Sequence, residues 1–211
     1  MANNDAPFGF RLWGECLRAN IYAVQTAPTI NVFTGDMVHG GLTAINTAKF
    51  GYLPIIEDAN IIPATPGGTA KIMGSVLACF DENMIPCSYI AATEVGDGTT
   101  AGYVLLADHP DQMFYAQEDA DTTPIAAANL MQNYDIYSPA LSAGNTYTGL
   151  SKQEIDSSSV AVTVTLALKV IKMAYPGQDS LTGVAATQAG CRWVCQVNNA
   201  CHFLGSSQAA L

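Results

Sequence analysis

The sequence predicts a mainly β protein: a compact β-barrel or sandwich with one short helix and an extended N-terminal arm. Three observations support this prediction. Apolar and polar residues alternate along several segments, turn residues interrupt these segments at short intervals, and no amphipathic helical pattern exceeds about ten residues. The 211-residue chain is long enough to bury a core, and no repeat or linker divides it. We therefore expect one mainly β domain over residues 21–211, preceded by an arm over residues 1–20.

The N-terminal segment, residues 1–20, shows neither the period of a helix nor that of a strand. Its aromatic stretch P-F-G-F-R-L-W-G, residues 7–14, is interrupted by proline and glycine. Aromatic rings on an arm commonly anchor one subunit on another. Large aromatic residues also supply much of the burial in a protein core. The sequence therefore leaves open whether these rings contact a partner or cover their own domain.

Residues 22–92 are predicted to form short strands separated by frequent turns. Glycine and proline supply the breaks, and T-P-G-G-T at residues 65–69 is the clearest turn signal. The predicted strands are residues 29–33, 36–39, 52–56 and 71–79.

The next part of the chain predicts a hairpin and then a helix. Residues 101–107 alternate as in a strand, and residues 112–117 are the predicted antiparallel partner across a proline-containing turn. A short, alanine-rich helix is expected over residues 123–132, because Thr123 suits the N-cap and Pro124 suits the first helical turn.

The longest predicted strand covers residues 159–173, where β-branched and other apolar residues alternate with Ala, Thr and Lys. Polar, glycine-containing loops are expected over residues 138–150 and 176–189. Residues 191–197 form the last predicted strand and complete the mainly β domain.

Composition narrows the classes of partner. Eighteen acidic and eight basic residues give a formal charge of −10, and 12% of the residues are charged while 49% are hydrophobic. A surface poor in charge favours self-association or docking onto a larger assembly. Phosphate binding needs clustered Lys and Arg. Because no two basic residues are adjacent, we expect no nucleic-acid partner.

The opening M-A-N-N-D-A-P-F-G-F lacks the basic leader and apolar core of a secretory signal. The longest apolar stretch, residues 160–175, is interrupted by Lys169 and Lys172 and is too short to span a bilayer. We therefore expect no membrane partner and synthesis in a reducing cytoplasm.

The six cysteines leave three chemical states open. Cys79 and Cys87 bracket a seven-residue segment, and a hairpin there would place them opposite each other. Cys191, Cys195 and Cys201 do not form a C-x-x-C pair, and the sequence lacks the closely spaced pairs of a zinc site. Buried thiols are the simplest state in a cytoplasmic protein, with a late-forming disulfide or a metal site as alternatives.

The sequence contains no recognisable catalytic constellation. His39, His109 and His202 lie far apart and outside the H-E-x-x-H and H-x-H patterns. Phosphate-binding loops and the G-x-S-x-G elbow are absent from the sequence. The acidic run at residues 118–121 lacks the spacing of a calcium loop, so a solvated turn is expected there. We predict that the protein is not an enzyme and binds no cofactor or metal.

Several sequence words resemble one known family. The opening A-N-N-D-A-P-F-G-F-R, residues 2–11, is similar to the D-A-P-F-G-[LF]-[RK] start of tailed-phage head decoration proteins. Residues 40–100 match little of that family, and Leu12-Trp13 stands where the family usually has Pro-Val. Further similar words follow in the family's order: Gly35-Asp36 with Val38, Y-V-L-L-A-D-H-P-D-Q-M-F-Y-A-Q-E-D at residues 103–119, T-G-L at residues 148–150 with residues 154–159, R-W-V at residues 192–194, and residues 198–202.

The resemblance implies a capsid decoration, or cement, protein. Such proteins bind the outer surface of an icosahedral phage head, commonly as trimers, and stabilise contacts between capsomers. The implied partners are the major capsid protein and two further copies of this chain as a homotrimer. The implied location is the outer surface of the virion, after synthesis in the host bacterial cytoplasm. In this setting we expect Phe8, Phe10, Arg11 and Trp13 to provide the anchoring contacts.

A virion-displayed module that binds host surfaces or carbohydrate is the alternative function. It would need an exposed aromatic platform, for which Tyr134, Tyr137 and Tyr147 are the candidates. A major shell subunit is disfavoured, because that fold usually brings a long spine helix and the sequence offers no such pattern.

Overall fold

The structure, a computed structural model, describes residues 6–28, 30–47, 49–56, 72–119, 123–137, 144–162, 166–176 and 190–198. These residues are mainly β, as predicted, and form two six-stranded sheets and two short ladders in a compact, sandwich-like arrangement. The sixteen strands in the described part of the chain are β1 (Arg11–Leu12), β2 (Ala19–Gln25), β3 (Val32–Phe33), β4 (Met37–Thr47), β5 (Gly51–Ile56), β6 (Ile72–Phe80), β7 (Pro86–Cys87), β8 (Tyr89–Ile90), β9 (Thr100–Ala107), β10 (Met113–Gln117), β11 (Asn133–Tyr137), β12 (Gly144–Asn145), β13 (Leu150–Ser151), β14 (Glu154–Ala161), β15 (Leu168–Met173) and β16 (Arg192–Val197).

The first six-stranded sheet, called the open sheet below, has the order β1-β10-β16-β15-β11-β14, and its ladders are antiparallel. The cross-strand partners Phe114, Cys195 and Val170 lie on its buried side. There they join a core that includes Phe10 and Ile155. Because neighbouring residues of a strand point to opposite faces, the open sheet has one covered face and one outward face.

The second six-stranded sheet closes on itself. Its order is β4-β5-β2-β9-β6-β7, and β4 also pairs with β6, so β4, β5, β2, β9 and β6 form a ring. The length of β4 allows this closure, since residues 37–39 pair with β6 and residues 40–47 pair with β5. The ring has its own apolar core, in which Val24, Val76 and Val104 are buried.

The two cores meet at the ends of the ring strands. Met37, Ile72 and Ala107 belong to the ring strands β4, β6 and β9, yet their side chains pack in the core of the open sheet. The ring and the open sheet are therefore joined by apolar contacts as well as by the chain.

Several predicted strands are confirmed, although their ends differ. The last strand, β16, and the strand β9 nearly coincide with the predicted ranges 191–197 and 101–107. The predicted turn at residues 65–69 lies outside the described residues, as do parts of the loops predicted over 138–150 and 176–189. The remaining matches are β3 with 29–33, β4 with 36–39, β5 with 52–56, β6 with 71–79 and β10 with 112–117.

The hairpin predicted between residues 101–107 and 112–117 is wrong. Both strands exist, but β9 pairs with β2 and β6 in the ring, whereas β10 pairs with β1 and β16 in the open sheet. The segment between them crosses from one sheet to the other. Alternation identifies a strand locally, but the partners of these two strands come from distant parts of the chain.

The single strand predicted over residues 159–173 is also wrong. Two strands, β14 and β15, occupy this region, and both pair with β11. Val162, directly after β14, is 82% exposed and so lies beyond the buried alternation. The alternating sequence pattern continues across the connection between the two strands, so it does not reveal that the chain passes from one side of β11 to the other.

The helix predicted over residues 123–132 is replaced by a 3₁₀ turn at Ala127–Asn129. The backbone N–H of Ile125 donates to the Glu118 carboxylate at 2.8 Å, and the Ile125 side chain is buried in the core of the open sheet. Met131 has a left-handed backbone conformation with φ of 67°. Tertiary contacts of a short segment thus outweigh the helix propensity of its alanines.

The described part of the predicted N-terminal arm does not stand apart from the domain. β1 is an edge strand of the open sheet, and β2 begins at Ala19 within the ring. The arm boundary predicted at residue 20 therefore falls inside a strand. Residues 1–5 lie outside the described residues.

Candidate interaction surface

Two of the sequence words, the opening one and Gly35-Asp36, lie together at the junction of the two sheets. The backbone N–H of Phe10 donates to the Gly35 carbonyl at 2.8 Å. Gly9 and Gly35 have φ of 74° and 93°, and a Cβ atom on Gly9 would lie 2.6 Å from the Gly35 carbonyl oxygen. The two segments therefore approach so closely that this contact requires glycine.

Asp36 completes the junction as a buried carboxylate. It accepts a hydrogen bond from the backbone N–H of Phe33 at 2.7 Å and another from the Ser151 side chain. Burial raises the pKa of Asp36 to about 7, although both hydrogen bonds act in the opposite direction. The Ser75 hydroxyl donates to the Phe10 carbonyl at 2.8 Å. The polar groups of this junction join the N-terminal segment to the ring.

Phe10, one of the four predicted anchors, lies in the core. Its side chain is 0% exposed and packs in the core of the open sheet, so it is not on the surface of the described chain. This is the alternative that the sequence left open, in which an N-terminal ring covers its own domain. The other three predicted anchors, Phe8, Arg11 and Trp13, are only partly buried.

These three residues lie on the outward face of the open sheet, which four strands build together. One cross-strand row runs over β1, β10, β16 and β15 and consists of Arg11, Tyr115, Val194 and Lys172. Because neighbouring residues of a strand point to opposite faces, this row lies on the face of the sheet that points away from the buried Phe114. Val194 is fully buried nevertheless.

An aromatic cluster forms around Tyr115 on this outward face. The rings of Trp13, Tyr115 and Tyr175 contact one another edge to face, with centroids 5.8 to 6.0 Å apart. Phe8 packs on Tyr115 with a centroid distance of 5.5 Å. Edge-to-face pairs are favourable beyond the area they bury. The result is a preformed group of four rings that is partly exposed.

Two basic side chains lie over this cluster. Lys172 Nζ is 5.4 Å from the centroid of the Trp13 ring, and the Arg192 guanidinium carbon is 4.3 Å from that of Tyr175. Both distances are within the range of cation–π interactions. With Arg11, three of the eight basic residues of the chain lie here. The set is called the aromatic–basic face, and its members are Phe8, Arg11, Trp13, Tyr115, Lys172, Tyr175 and Arg192.

Tyr115 reflects the electrostatics of the aromatic–basic face. Burial raises its pKa, and the neighbouring Tyr175 adds to the increase, while Arg11 and Arg192 act to lower it. Because the net shift is upward, the Tyr115 phenol is neutral at physiological pH. The face therefore carries positive charge from its basic side chains in a chain whose formal charge is −10.

The sequence indicated only part of this face. Tyr115 alternates with Phe114 and Ala116, which is a local signal that it lies on the opposite side of β10 from the core. No local pattern places Tyr175 and Arg192 beside it. Their position depends on the pairing of β16 with β15 and with β10, and β10 is distant from both strands in sequence.

A second polar cluster lies at the edge of the ring, around Asp108. Its Oδ1 accepts from Arg18 Nε at 2.8 Å, and its Oδ2 accepts from Asn20 Nδ2 at 2.8 Å and from the Tyr22 hydroxyl at 2.6 Å. Burial acts to raise the pKa of Asp108, but hydrogen bonds from Asn20, Tyr22 and Arg18 outweigh it and hold the pKa below its usual value. This network ties the end of β9 to β2.

The histidines and acids singled out in the sequence were candidates for a metal site. Within the described ranges, no group of three or more His, Cys, Asp or Glu is placed to hold a metal ion. His109 lies in a turn, where its Nδ1 accepts from the Asp111 backbone N–H at 3.1 Å. His39 belongs to β4, and His202 and Asp121 lie outside the described residues.

Glu118 and Asp119, the described acids of the acidic run, are buried, so the predicted solvated turn is wrong for these two residues. Asp119 accepts from the backbone N–H and the hydroxyl of Ser157 at 3.0 and 2.7 Å. Burial raises the pKa of Glu118 to about 7, while the hydrogen bond from the Ile125 N–H acts to lower it. Both carboxylates hold the connection after β10 against neighbouring segments.

The aromatic residues considered for carbohydrate binding do not share one environment. Tyr134 is 0% exposed, whereas Tyr137 and Tyr147 are 39% and 95% exposed. Tyr134 is therefore excluded from any exposed platform.

Comparisons with protein-family models, with curated proteins and with solved structures gave no match to this chain. The resemblance of the sequence words to decoration proteins therefore stays a prediction. Among the residues that the structure describes, no helix has the length and apolar character needed to cross a membrane.

Proposed function

We propose that this protein is a structural component of a phage virion that binds the outer surface of the icosahedral capsid and stabilises contacts between capsomers. The sequence words similar to those of tailed-phage decoration proteins support this class of function. The aromatic–basic face supports the mode of binding, because Phe8 and Arg11 belong to the first of these words and lie in that face. The proposal rests on this face.

The composition of the aromatic–basic face suits a contact with another protein. Trp, Tyr and Arg are the residue types that contribute most to binding energy at protein interfaces. Their rings already pack on one another in the single chain, so docking orders few additional side chains. The positive charge of the face favours an acidic surface on the major capsid protein.

We further propose that the protein acts as a homotrimer on the capsid. Three-fold symmetry gives a head-to-tail interface that closes after three copies. Three linked contacts with the shell would reinforce one another through their effective concentration. The mass of the purified protein in solution and on the shell tests this part of the proposal, and a monomer in both states would contradict it.

The test of the binding face is co-sedimentation with expanded shells of the major capsid protein from the same virus. The variant Arg11→Glu/Lys172→Glu removes two basic residues from the face. We expect it to lose affinity by at least about tenfold, because acidic side chains would then oppose an acidic partner. Bound wild-type protein is also expected to raise the resistance of the shells to heat.

The matched control is Lys49→Glu/Lys152→Glu, which changes the net charge equally at two exposed residues outside the face. Its binding is expected to stay close to that of the wild type, and circular dichroism checks that both variants fold. Equal loss in both variants would contradict a specific role of the face. If the wild type does not bind shells but binds an array of glycans, the host-surface or carbohydrate-binding alternative is supported instead.

A further inference from the structure

The hairpin of β6 and β7 places two cysteines directly opposite each other. Cys79 and Cys87 are register partners in this antiparallel pair, and both thiols are free. The Cα atoms of such partners are about 4.5 to 5.5 Å apart, within the range of about 4.4 to 6.8 Å that a disulfide spans. Side chains of directly opposed residues also project to the same face of a sheet.

The other described cysteines lack this arrangement. Cys191 directly precedes β16 and Cys195 lies within it. They are four residues apart on one extended segment, which corresponds to roughly 13 Å along a strand. Cys16 is exposed and precedes the ring. In the described part of the chain, Cys79 and Cys87 are thus the pair that the backbone brings into register for a bond.

The two thiols differ in access. Cys79 is buried in the ring core, where its Sγ is 3.6 Å from the Val32 carbonyl oxygen. Cys87 is partly buried and lines an open cleft of about 400 Å³ together with Asp81, Glu82 and Glu94. The cleft gives a small molecule a route to Cys87. A reagent in the cleft meets Cys87 before it meets Cys79.

The environment also slows the reaction of both thiols with a disulfide. Burial raises the pKa of both thiols, and for Cys79 the neighbouring Cys87 adds to the increase. The acids around the cleft also raise the pKa of Cys87, and Asp81 contributes most among them. Few thiolates are therefore present at neutral pH, and the thiolate is the species that attacks a disulfide.

We propose that Cys79 and Cys87 are an oxidation site at which a low-molecular-weight disulfide joins the two strands. In the first step the Cys87 thiolate attacks one sulfur of the reagent, which forms a mixed disulfide and releases one small thiolate. In the second step the Cys79 thiolate attacks Cys87 Sγ, which forms the Cys79–Cys87 bond and releases the second small thiolate. Two protein thiols are oxidised and one reagent disulfide is reduced to two thiols.

The bond would fasten the tip of the β6–β7 hairpin. At this tip Asp81 Oδ1 accepts from the backbone N–H groups of Asn83 and Ile85, both at 2.8 Å. The Asn83 carbonyl in turn accepts from Lys49 Nζ at 3.2 Å, which connects the tip to the turn between β4 and β5. The bond would restrict the unfolded chain, but the loop that it closes is short. We therefore expect a modest rise of about 5 °C in the melting temperature.

The experiment treats the native protein with glutathione disulfide, blocks remaining thiols by alkylation and cleaves it after glutamate. Cleavage at Glu82 separates Cys79 from Cys87. We expect the peptides of residues 58–82 and 83–94 to be linked, while Cys16 carries only glutathione. Because the cleft is acidic, cationic cystamine is expected to react at least about threefold faster than anionic glutathione disulfide.

Cys87→Ser is expected to lose both the linked peptides and the gain in melting temperature, whereas the matched control Cys16→Ser keeps both. The proposal is overturned if Cys87 stays in a mixed disulfide with glutathione while Cys79 is recovered alkylated. Linked peptides that form only after the protein is denatured would also overturn it, because the folded hairpin would then not bring the thiols together.

Discussion

The edge of the ring and the outward face of the open sheet use their basic side chains in different ways. At the ring, the guanidinium of Arg18 donates to the carboxylate of Asp108, whose side chain is 1% exposed. On the open sheet, Lys172 and Arg192 lie over aromatic rings at the surface. The first arrangement satisfies a buried charge and therefore stabilises the fold. The second leaves positive charge on a preformed aromatic surface, where a partner can contact it.

The largest effect is expected at Asp108. Asp108→Ala removes the acceptor of Arg18, Asn20 and Tyr22, and the Tyr22 hydroxyl is then buried without this partner. We expect a loss of about 3 kcal/mol in the free energy of unfolding, because one member of a buried hydrogen-bonded network is removed. Urea unfolding followed by circular dichroism measures it.

Asp111→Ala is the control for Asp108→Ala. Asp111 is exposed and only three residues away, and its contact with Gln196 Nε2 is long at 3.5 Å. Its substitution is expected to change the free energy of unfolding by less than about 0.5 kcal/mol. Similar losses in both variants would show that the network around Asp108 is not what stabilises the ring edge.

The second largest effect concerns pH. Burial raises the folded-state pKa of Asp36 and Glu118 to about 7, so the folded protein holds these protons more tightly than the unfolded chain. Their contribution to stability is fully present below about pH 4 and is lost as pH rises from about 4 through 7. The pKa of Asp108 is lowered, so its contribution is lost in the opposite direction, as pH falls below about 4.

Glu118→Gln separates these contributions. The wild type is expected to lose stability between pH 5 and pH 8, and the variant is expected to lose roughly 2 kcal/mol less over the same interval. Urea unfolding at both pH values measures the difference. An identical decline in the two proteins would mean that Glu118 does not titrate in this range, and Asp156→Asn, at a partly exposed carboxylate, controls for the loss of one acid.

The corrections to the predicted fold have a common physical cause. Alternation reports which side of a short segment is buried, and it located β9, β10 and β16 correctly. It does not report the pairing partner, and for this reason the predicted hairpin of β9 and β10 is wrong: the two strands belong to different sheets. The same limit applies to residues 159–173, where a continuous pattern covers two strands that both pair with β11.

The candidate surface was predictable to a similar degree. The aromatic character of the N-terminal segment was visible, but the sequence did not separate Phe10, which is in the core, from Phe8 and Trp13, which are at the surface. That separation follows from the contact between Gly9 and Gly35, which fixes how the segment enters the open sheet. Neither glycine alone indicates this contact.

A smaller effect on stability is expected at Trp13. Trp13→Ala removes two edge-to-face ring contacts from a partly exposed position, and we expect a loss of about 1 kcal/mol in the free energy of unfolding. Its effect on shell binding is expected to be larger, at least about tenfold, if Trp13 anchors the protein. Tyr147→Ala, at a ring that is 95% exposed, is the control and is expected to change neither quantity.

The smallest effect on stability is expected at Lys172, which belongs to the aromatic–basic face of the open sheet. Lys172→Gln removes a surface cation over the Trp13 ring and is expected to change the free energy of unfolding by less than about 0.5 kcal/mol. Shell binding should nevertheless weaken and depend less steeply on salt, because one screened charge interaction is lost. Titration of shells at two salt concentrations measures both. An unchanged salt dependence would show that the charge of Lys172 does not contribute to docking, and would leave the aromatic rings as the contact.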